Sequence, residues 1–138
     1  MFILDTNVVS ELRKAAVGKA DKQVIAWAKG VPTSSLYLSS ITILEIEWGI
    51  LLKERKDQSQ GAILRAWFEN HVQPAFSDRV LPIDTAVAKR CAKLHVPNPC
   101  SDRDAFIMAT ALAHGMTLVT RNIDDFKHFG GELLNPWQ

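Results

Sequence analysis

Short apolar segments alternate with helical segments along the whole chain, and this alternation restricts the fold more than any other feature. We predict strands at Phe2–Leu4, Leu36–Leu38, Arg79–Ile83, Thr117–Thr120 and, as a last edge strand, Leu133–Leu134. We predict helices at Val8–Arg13, Lys22–Lys29, Ile41–Arg55, Ala62–Val72, Ala86–His95 and Asp104–His114, with a short one inside Ile123–Phe129. Strands that alternate with helices indicate βα units, so we expect an α/β fold with a central parallel sheet flanked by helices.

Local signals place several helix ends. Asp21 and either Asp84 or Thr85 are expected to cap the helices that follow them. Thr42 and Glu45 have the spacing of a capping box at the head of their helix. We predict that the polar stretch 54–61 is a loop. We also predict that the helix Ala62–Val72 ends before Pro74.

The composition is that of one globular domain. A chain of 138 residues with 47% hydrophobic and 22% charged residues buries enough surface to fold without disulfides, and we treat residues 1–138 as a single domain. The net charge of +1 excludes a general basic coat for nucleic acid but not a local basic groove. No apolar segment is long enough to cross a membrane, and the first residues lack a basic signal-peptide region, so we expect a cytoplasmic protein. Cys91 and Cys100 form no metal-ligand or redox motif and are expected to be ordinary thiols.

Acidic residues follow the predicted strands or begin the helices after them. Asp5 ends the first strand, Glu45 lies in an early turn of its helix, Asp104 begins another helix, and Asp124 and Asp125 follow the fourth strand. In parallel sheets, ligands bind beyond the carboxyl ends of the strands. These acids are therefore expected at one edge of the sheet, although each alone could be a cap or a solvated loop residue.

Carboxylates that converge in this way repel one another and favour a divalent cation. Mg²⁺ prefers oxygen ligands and is commonly held by one or two carboxylates together with water. Such an ion activates water and stabilises charge in phosphodiester hydrolysis. Polar and basic side chains at the same edge, which could orient water or substrate, are Thr6, Asn7, Thr120, Arg121 and Asn122.

Four segments, in this order, resemble those of PIN-domain ribonucleases, and among them the VapC/FitB-type toxins of bacterial toxin–antitoxin pairs. They are FILDTNVVSELR from residue 2, SSITILEIEWG from residue 39, DAFIMATA from residue 104, and TLVTRNIDDF from residue 117. The closing LLNPW is similar as well. Since these segments lie at both ends and in the middle, the resemblance covers nearly the whole chain. The helix start Asp-Ala-Phe-Ile-Met-Ala differs from the Asp-Ala-Leu-Ile-Ala-Ala that is frequent in the family, but it keeps the acid and the apolar face.

The resemblance implies a three-layer PIN-like domain that cuts RNA with Mg²⁺ or Mn²⁺. By motif position, the catalytic acids would be Asp5, Glu45, Asp104 and Asp125, with Asp5, Asp104 and Asp125 as metal ligands. Asp125 is preferred to Asp124 because the acid of the family precedes the Phe, and Asp102 is a nearby residue outside the motif. Glu45 would be a ligand or a base for the attacking water. The resemblance also implies a cognate antitoxin and a homodimer.

Two other classes of function share part of this pattern. A receiver-type phosphotransfer domain or an Asp-nucleophile phosphatase also places an Asp at a strand end, but such a phosphatase needs a second Asp where this chain has Asn7. A PIN scaffold without activity would serve only as a binding module. The presence of all four acids favours the enzyme over this module.

Overall fold

Five short parallel strands form one sheet at the centre of this computed structural model, which describes residues 1–138. They are β1 (Phe2–Leu4), β2 (Leu36–Ser39), β3 (Val80–Leu81), β4 (Thr117–Val119) and β5 (Leu133–Leu134). The order across the sheet is β3-β2-β1-β4-β5, and all four pairings are parallel. The predicted α/β fold with a parallel sheet is confirmed, and β1 is its central strand.

Eight helices surround the sheet. They are α1 (Thr6–Arg13), α2 (Lys22–Lys29), α3 (Ser40–Lys56), α4 (Gln58–Trp67), α5 (Gln73–Ala75), α6 (Thr85–Leu94), α7 (Asp102–His114) and α8 (Ile123–Phe126). Short 3₁₀ turns occur at Lys14–Val17, Thr33–Ser35 and Lys127–Phe129, and Phe68–Val72 forms a π-helical turn. No helix combines the length and the apolar character that a membrane crossing requires.

Neighbouring residues of β1 point to opposite faces of the sheet and enter two different cores. Leu4 packs with residues of α1 and α3 in one core, whereas Ile3 packs with residues of α7 in the other. Both side chains are fully buried. Successive side chains of a strand point to opposite faces of the sheet. Since helices cover both faces here, both sets of β1 side chains are buried, and the strand is apolar throughout.

The predicted loop at residues 54–61 is wrong, because α3 continues to Lys56 and α4 begins at Gln58. Asp57 alone separates the two helices, and its side chain accepts a hydrogen bond from the backbone of Gln60. Arg65 then joins α4 to α3: it pairs with Glu47 at 2.6 Å and with Glu54 at 3.3 Å. Its hydrogen bonds hold the pKa of Glu47 below the ordinary value. Polar residues therefore mark a tight helical hairpin here.

Two other boundary predictions differ from the structure. The helical conformation does not end before Pro74. A π-helical turn precedes α5, and Pro74 lies in the first turn of α5, where its missing N–H is not needed. The capping box of Thr42 and Glu45 is also wrong. Ser39 caps α3 by accepting a hydrogen bond from the backbone of Ile41, so Thr42 and Glu45 lie inside the helix.

We predict opposite effects on stability from two Gly→Ala substitutions in this hairpin. A Cβ at Gly61 would lie 2.7 Å from the Cα of Glu54, whereas a Cβ at Gly49 would meet nothing within 4 Å. Gly61→Ala should therefore lower the free energy of unfolding by about 1–3 kcal/mol through overpacking. Gly49→Ala, in the interior of α3, should raise it by about 0.5–1 kcal/mol through helix propensity. Chemical denaturation of both variants measures these changes, and a Gly61→Ala protein as stable as the wild type would contradict the close approach.

Candidate active site

Asp5 occupies the first position after the central strand and is buried, with 6% of its surface exposed. Its Oδ1 accepts a hydrogen bond of 2.8 Å from the backbone N–H of Thr6, and it thereby caps α1. Its Oδ2 accepts hydrogen bonds from the Thr120 hydroxyl at 2.8 Å and from the Asn7 side-chain amide at 3.2 Å. The carboxylate is therefore fixed by three donors from the ends of β1 and β4.

Glu45 reaches the same edge of the sheet from α3. The Thr6 hydroxyl donates a hydrogen bond of 2.6 Å to its Oε1, and that hydroxyl also lies 3.3 Å from the Thr42 hydroxyl. The second oxygen of Glu45, Oε2, lies 3.3 Å from the guanidinium of Arg103. Residues of α1, α3 and α7 thus determine where this carboxylate lies.

Asp104 and Asp125 complete the acidic group. Asp104 lies in the first turn of α7, and burial raises its pKa, with further increases from the negative charges of Asp125 and Glu45. Asp125 is exposed and lies in the first turn of α8. Its neighbour Asp124 instead forms an exposed ion pair with Lys127 at 3.1 Å. Of these two residues, Asp125 is the one whose charge acts on Asp104.

The environment of Asp5 raises its pKa to about 6, well above the ordinary value of 3.8. The largest cause is burial, which disfavours the charged form. The hydrogen bonds from Thr120 and Thr6 act in the opposite direction, and the negative charges of Glu45 and Asp104 raise the pKa further. The acids predicted from the sequence therefore interact electrostatically in the structure: Glu45 and Asp104 act on Asp5, and Asp125 acts on Asp104.

The polar residues of this edge support the acids through the backbone as well as through side chains. The backbone N–H of Asn122 donates to the Thr120 hydroxyl at 3.0 Å, and that hydroxyl donates to Asp5. The backbone N–H of Arg121 donates to the Asn7 side chain at 3.3 Å, so Asn7 connects the loop after β4 to Asp5.

The donor set fits a hard divalent cation, although no three Asp, Glu, His or Cys side chains converge closely enough to form a ready metal cage. All four acidic residues offer only oxygen, and burial together with their mutual repulsion raises the pKa of Asp5 and Asp104. Mg²⁺ commonly takes only one or two direct carboxylates and retains water. A bound cation would offset the charge of the buried Asp5 and of the carboxylates around it.

Arg103 and Thr42 have roles in this site that the sequence did not indicate. Arg103, next to Asp104, pairs with Glu45 and also lies 5.0 Å from the ring centroid of Trp48. Thr42 contacts the Thr6 hydroxyl, and its position three residues before Glu45 on one helix face is a signal that could have identified it. Nothing in the sequence pattern distinguishes Arg103 from the other basic residues, because its role depends on the contact between α3 and α7.

We predict that Asp5 makes the stability of the metal-free protein fall as the pH rises. Because its folded pKa of about 6 exceeds the ordinary 3.8, the folded state binds more protons, and stability is lost as the pH rises through this interval. This difference corresponds to about 3 kcal/mol. Asp5→Asn should remove that part of the decline, and exposed Asp124→Asn should retain it. Denaturation in chelator from pH 4 to 7 measures the difference, and parallel curves for wild type and Asp5→Asn would contradict it.

Comparisons with known proteins identify the family of this chain. The model of the PIN domain family matches residues 2–132. A relative named VapC ribonuclease Y4jK, from Sinorhizobium fredii, is 36% identical over 100% of this chain and 99% of its own length. Toxin FitB from Neisseria gonorrhoeae is 33% identical over 99% of both chains.

Solved structures show the same fold. The crystal structure of FitAcB from Neisseria gonorrhoeae superposes with a TM-score of 0.89 at 30% identity, covering 100% of this chain and 99% of that one. The structure of FitAB bound to an IR36 DNA fragment gives a TM-score of 0.86 at 31% identity, with coverage of 100% and 96%. The chain therefore belongs to the PIN-domain family, together with relatives named VapC and FitB.

Proposed function

We propose that this protein is the ribonuclease toxin of a toxin–antitoxin pair and that it hydrolyses RNA phosphodiester bonds with Mg²⁺ or Mn²⁺. The main supporting observation is the buried Asp5, whose pKa of about 6 reflects burial and the neighbouring carboxylates. Strongly shifted carboxyl groups at the ligand-binding edge of a parallel sheet are typical of catalytic sites. The full-length relationship to a protein named VapC ribonuclease supports RNA as the substrate.

In this proposal, Asp5, Asp104 and Asp125 would hold the metal ion, one or two of them directly and the rest through bound water. When bound, the ion lowers the pKa of a coordinated water and stabilises negative charge on the phosphate. Asp5 must lose its proton to bind the ion, and the Thr120 hydrogen bond favours this charged form. Asp125 is exposed, so its carboxylate is accessible to a cation from the solvent.

The remaining residues would orient the reactants. Glu45 is positioned by Thr6 and Arg103, and it would serve as a ligand or accept a proton from the attacking water. Loss of that proton accompanies formation of the new P–O bond and cleavage of the bond to the leaving oxygen. Asn7, Thr120 and Asn122 hold the loop after β4 in place, which supports a water- or substrate-orienting role for them.

Exposed apolar side chains support the proposed partners, an antitoxin and a second copy of the chain. Large apolar residues with about half of their surface exposed lie on α3 and α4: Leu44, Trp48, Leu51, Leu52 and Ile63. A cavity of about 250 Å³ between α1, α3 and α4 is lined by both Leu64 and Glu45. An antitoxin segment in this cavity would reach the acidic site, and the solved FitAB and VapBC structures are described as complexes with DNA or as toxin–antitoxin systems.

We also propose that residues 1–138 form a single PIN domain, which the family match over residues 2–132 supports, and that the protein acts on RNA in the cytoplasm.

We predict metal-dependent cleavage of a mixed RNA pool by the purified protein without its partner. Asp5→Asn, Glu45→Gln, Asp104→Asn and Asp125→Asn should each reduce the rate by about 100-fold or more, because several kcal/mol of transition-state stabilisation is lost. Asp124→Asn is the matched control for Asp125, and Asp102→Asn is the control for Asp104. Both controls should cleave at a rate close to wild type.

Cleavage that survives in chelator, or in both Asp5→Asn and Asp104→Asn, would contradict the proposal. Folded wild-type protein that cuts no RNA with either metal would favour a binding module instead. Circular dichroism of each variant separates loss of activity from loss of structure.

We also predict that Thr120→Val shifts the pH dependence of cleavage upward. The Thr120 hydroxyl lowers the pKa of Asp5, so its removal should raise that pKa and move the acidic limb of the profile to higher pH. The pH profile of kcat/KM should be recorded at subsaturating metal, because its acidic limb then reports the pKa of the free enzyme. Thr110→Val is the control, because the Thr110 hydroxyl bonds only to the backbone of Phe106. Coincident profiles for the wild type and Thr120→Val would contradict this role.

A further inference from the structure

Arg121 lies beside the acidic site and is fixed at three points. Its backbone N–H donates to the Asn7 side chain at 3.3 Å, and its carbonyl oxygen accepts from the Asn135 side chain at 3.5 Å. Its guanidinium lies 5.2 Å from the ring centroid of Trp137, within cation–π distance. An exposed arginine with both its backbone and its guanidinium held in place is preorganised for a ligand.

The charge of Arg121 is also free. Its guanidinium takes part in no ion pair of the structure, although its side chain is exposed and lines the same cavity as Asp124 and Asp125. Arg103, the other arginine at this edge, already pairs with Glu45. Arg121 can therefore accept a new anionic group without first breaking a salt bridge.

A polar cavity of about 500 Å³ lies beside Arg121, Asp124 and Asp125. It is lined by Arg121, Asn122, Ile123, Asp124, Asp125, Asn135 and Gln138. Its volume lies within the range of small-ligand sites, about 300–1,000 Å³. A group bound here would be next to Asp125 on the side of β4 and β5, opposite to Glu45.

We propose that this cavity binds the nucleotide adjacent to the scissile phosphate, with Arg121 binding a phosphate of that nucleotide. The inference rests on the proposed function and adds a substrate subsite to it. A planar guanidinium binds phosphate through two parallel hydrogen bonds. An arginine that is already held in place loses less conformational entropy in forming them than a mobile one. The carboxylates of Asp124 and Asp125 on one side of the cavity and the guanidinium of Arg121 on the other would orient the RNA backbone across the carboxyl edge of the sheet.

Trp137 and Asn135 are positioning residues in this proposal. Asn135 donates to the Arg121 carbonyl and accepts a hydrogen bond of 2.9 Å from the backbone of Trp137. One side chain thus joins the chain segment that carries Arg121 to the segment that carries Trp137. This connection keeps the indole against the guanidinium.

The test measures RNA affinity and cleavage for four variants and a control. The probe is a fluorescein-labelled, unpaired RNA pool of about twelve nucleotides, a length within the usual site sizes of single-strand binding. Anisotropy in chelator gives Kd without cleavage, and initial rates with Mn²⁺ give KM and kcat separately. The variants are Arg121→Ala, Arg121→Lys, Trp137→Ala and Trp137→Phe. Arg90→Ala, which removes an exposed arginine from α6, is the charge control.

Arg121→Ala should raise Kd and KM about 10-fold or more, the effect expected for a lost charge-assisted hydrogen bond, while kcat changes about twofold at most. It should also reduce the slope of log affinity against log salt by about 0.7. Trp137→Ala should raise KM by about 3- to 5-fold with an unchanged salt slope, and Trp137→Phe should restore the wild-type value. Arg121→Lys should remain weaker than the wild type, and Arg90→Ala should not differ from it.

Equal RNA affinity in Arg121→Ala and the wild type would overturn the subsite. So would an effect of Trp137→Ala that phenylalanine does not rescue. If Arg121→Ala changes only the sedimentation mass, Arg121 belongs to an interface between copies and the subsite is again overturned. Absence of metal-dependent cleavage by the wild type refutes the proposed ribonuclease function instead, and the affinities in chelator still decide whether the cavity binds RNA.

Discussion

The carboxylate of Asp5 is held out of water at the end of the central strand, and the other features of the site are arranged around it. A buried charge is unfavourable unless other groups stabilise it. Here three hydrogen-bond donors stabilise the charge, but burial and, to a smaller extent, two neighbouring carboxylates outweigh them and raise the pKa of Asp5 to about 6. The same side chain caps α1, so the start of that helix and the chemistry of the site depend on one residue.

The parallel sheet explains why residues far apart in sequence meet at Asp5. With β1 at the centre and β2 and β4 beside it, the segments after all three strands lie at one edge. Thr120 reaches Asp5 from a position 115 residues away, and Glu45 reaches Thr6 from the other side. Residues that bind or orient substrate would then divide between a Glu45 side and an Arg121 side of the central carboxylate.

Much of the fold followed from local sequence patterns, and the errors have physical causes. The strand positions and the cap at Asp21 were predicted because apolar runs and capping residues act over a few residues. The hairpin between α3 and α4 was missed because Asp57, Gly61 and Arg65 make a tight helical connection only through contacts between the two helices. The acids could be predicted from their positions after strands, whereas the pairing of Arg103 with Glu45 could not, because it depends on how α7 packs on α3.

The central claim, that Asp5 and its neighbours form one metal-binding group, is tested most directly by titrating Mn²⁺ into the metal-free protein near pH 6. Calorimetry in buffers of different ionisation enthalpy would count the protons released. We expect saturable binding with proton release, because Asp5 is partly protonated at this pH and must ionise to bind the ion. Binding should be lost in Asp5→Asn and retained in Asp124→Asn. Equal binding by Asp5→Asn and wild type, or binding without proton release, would contradict the account.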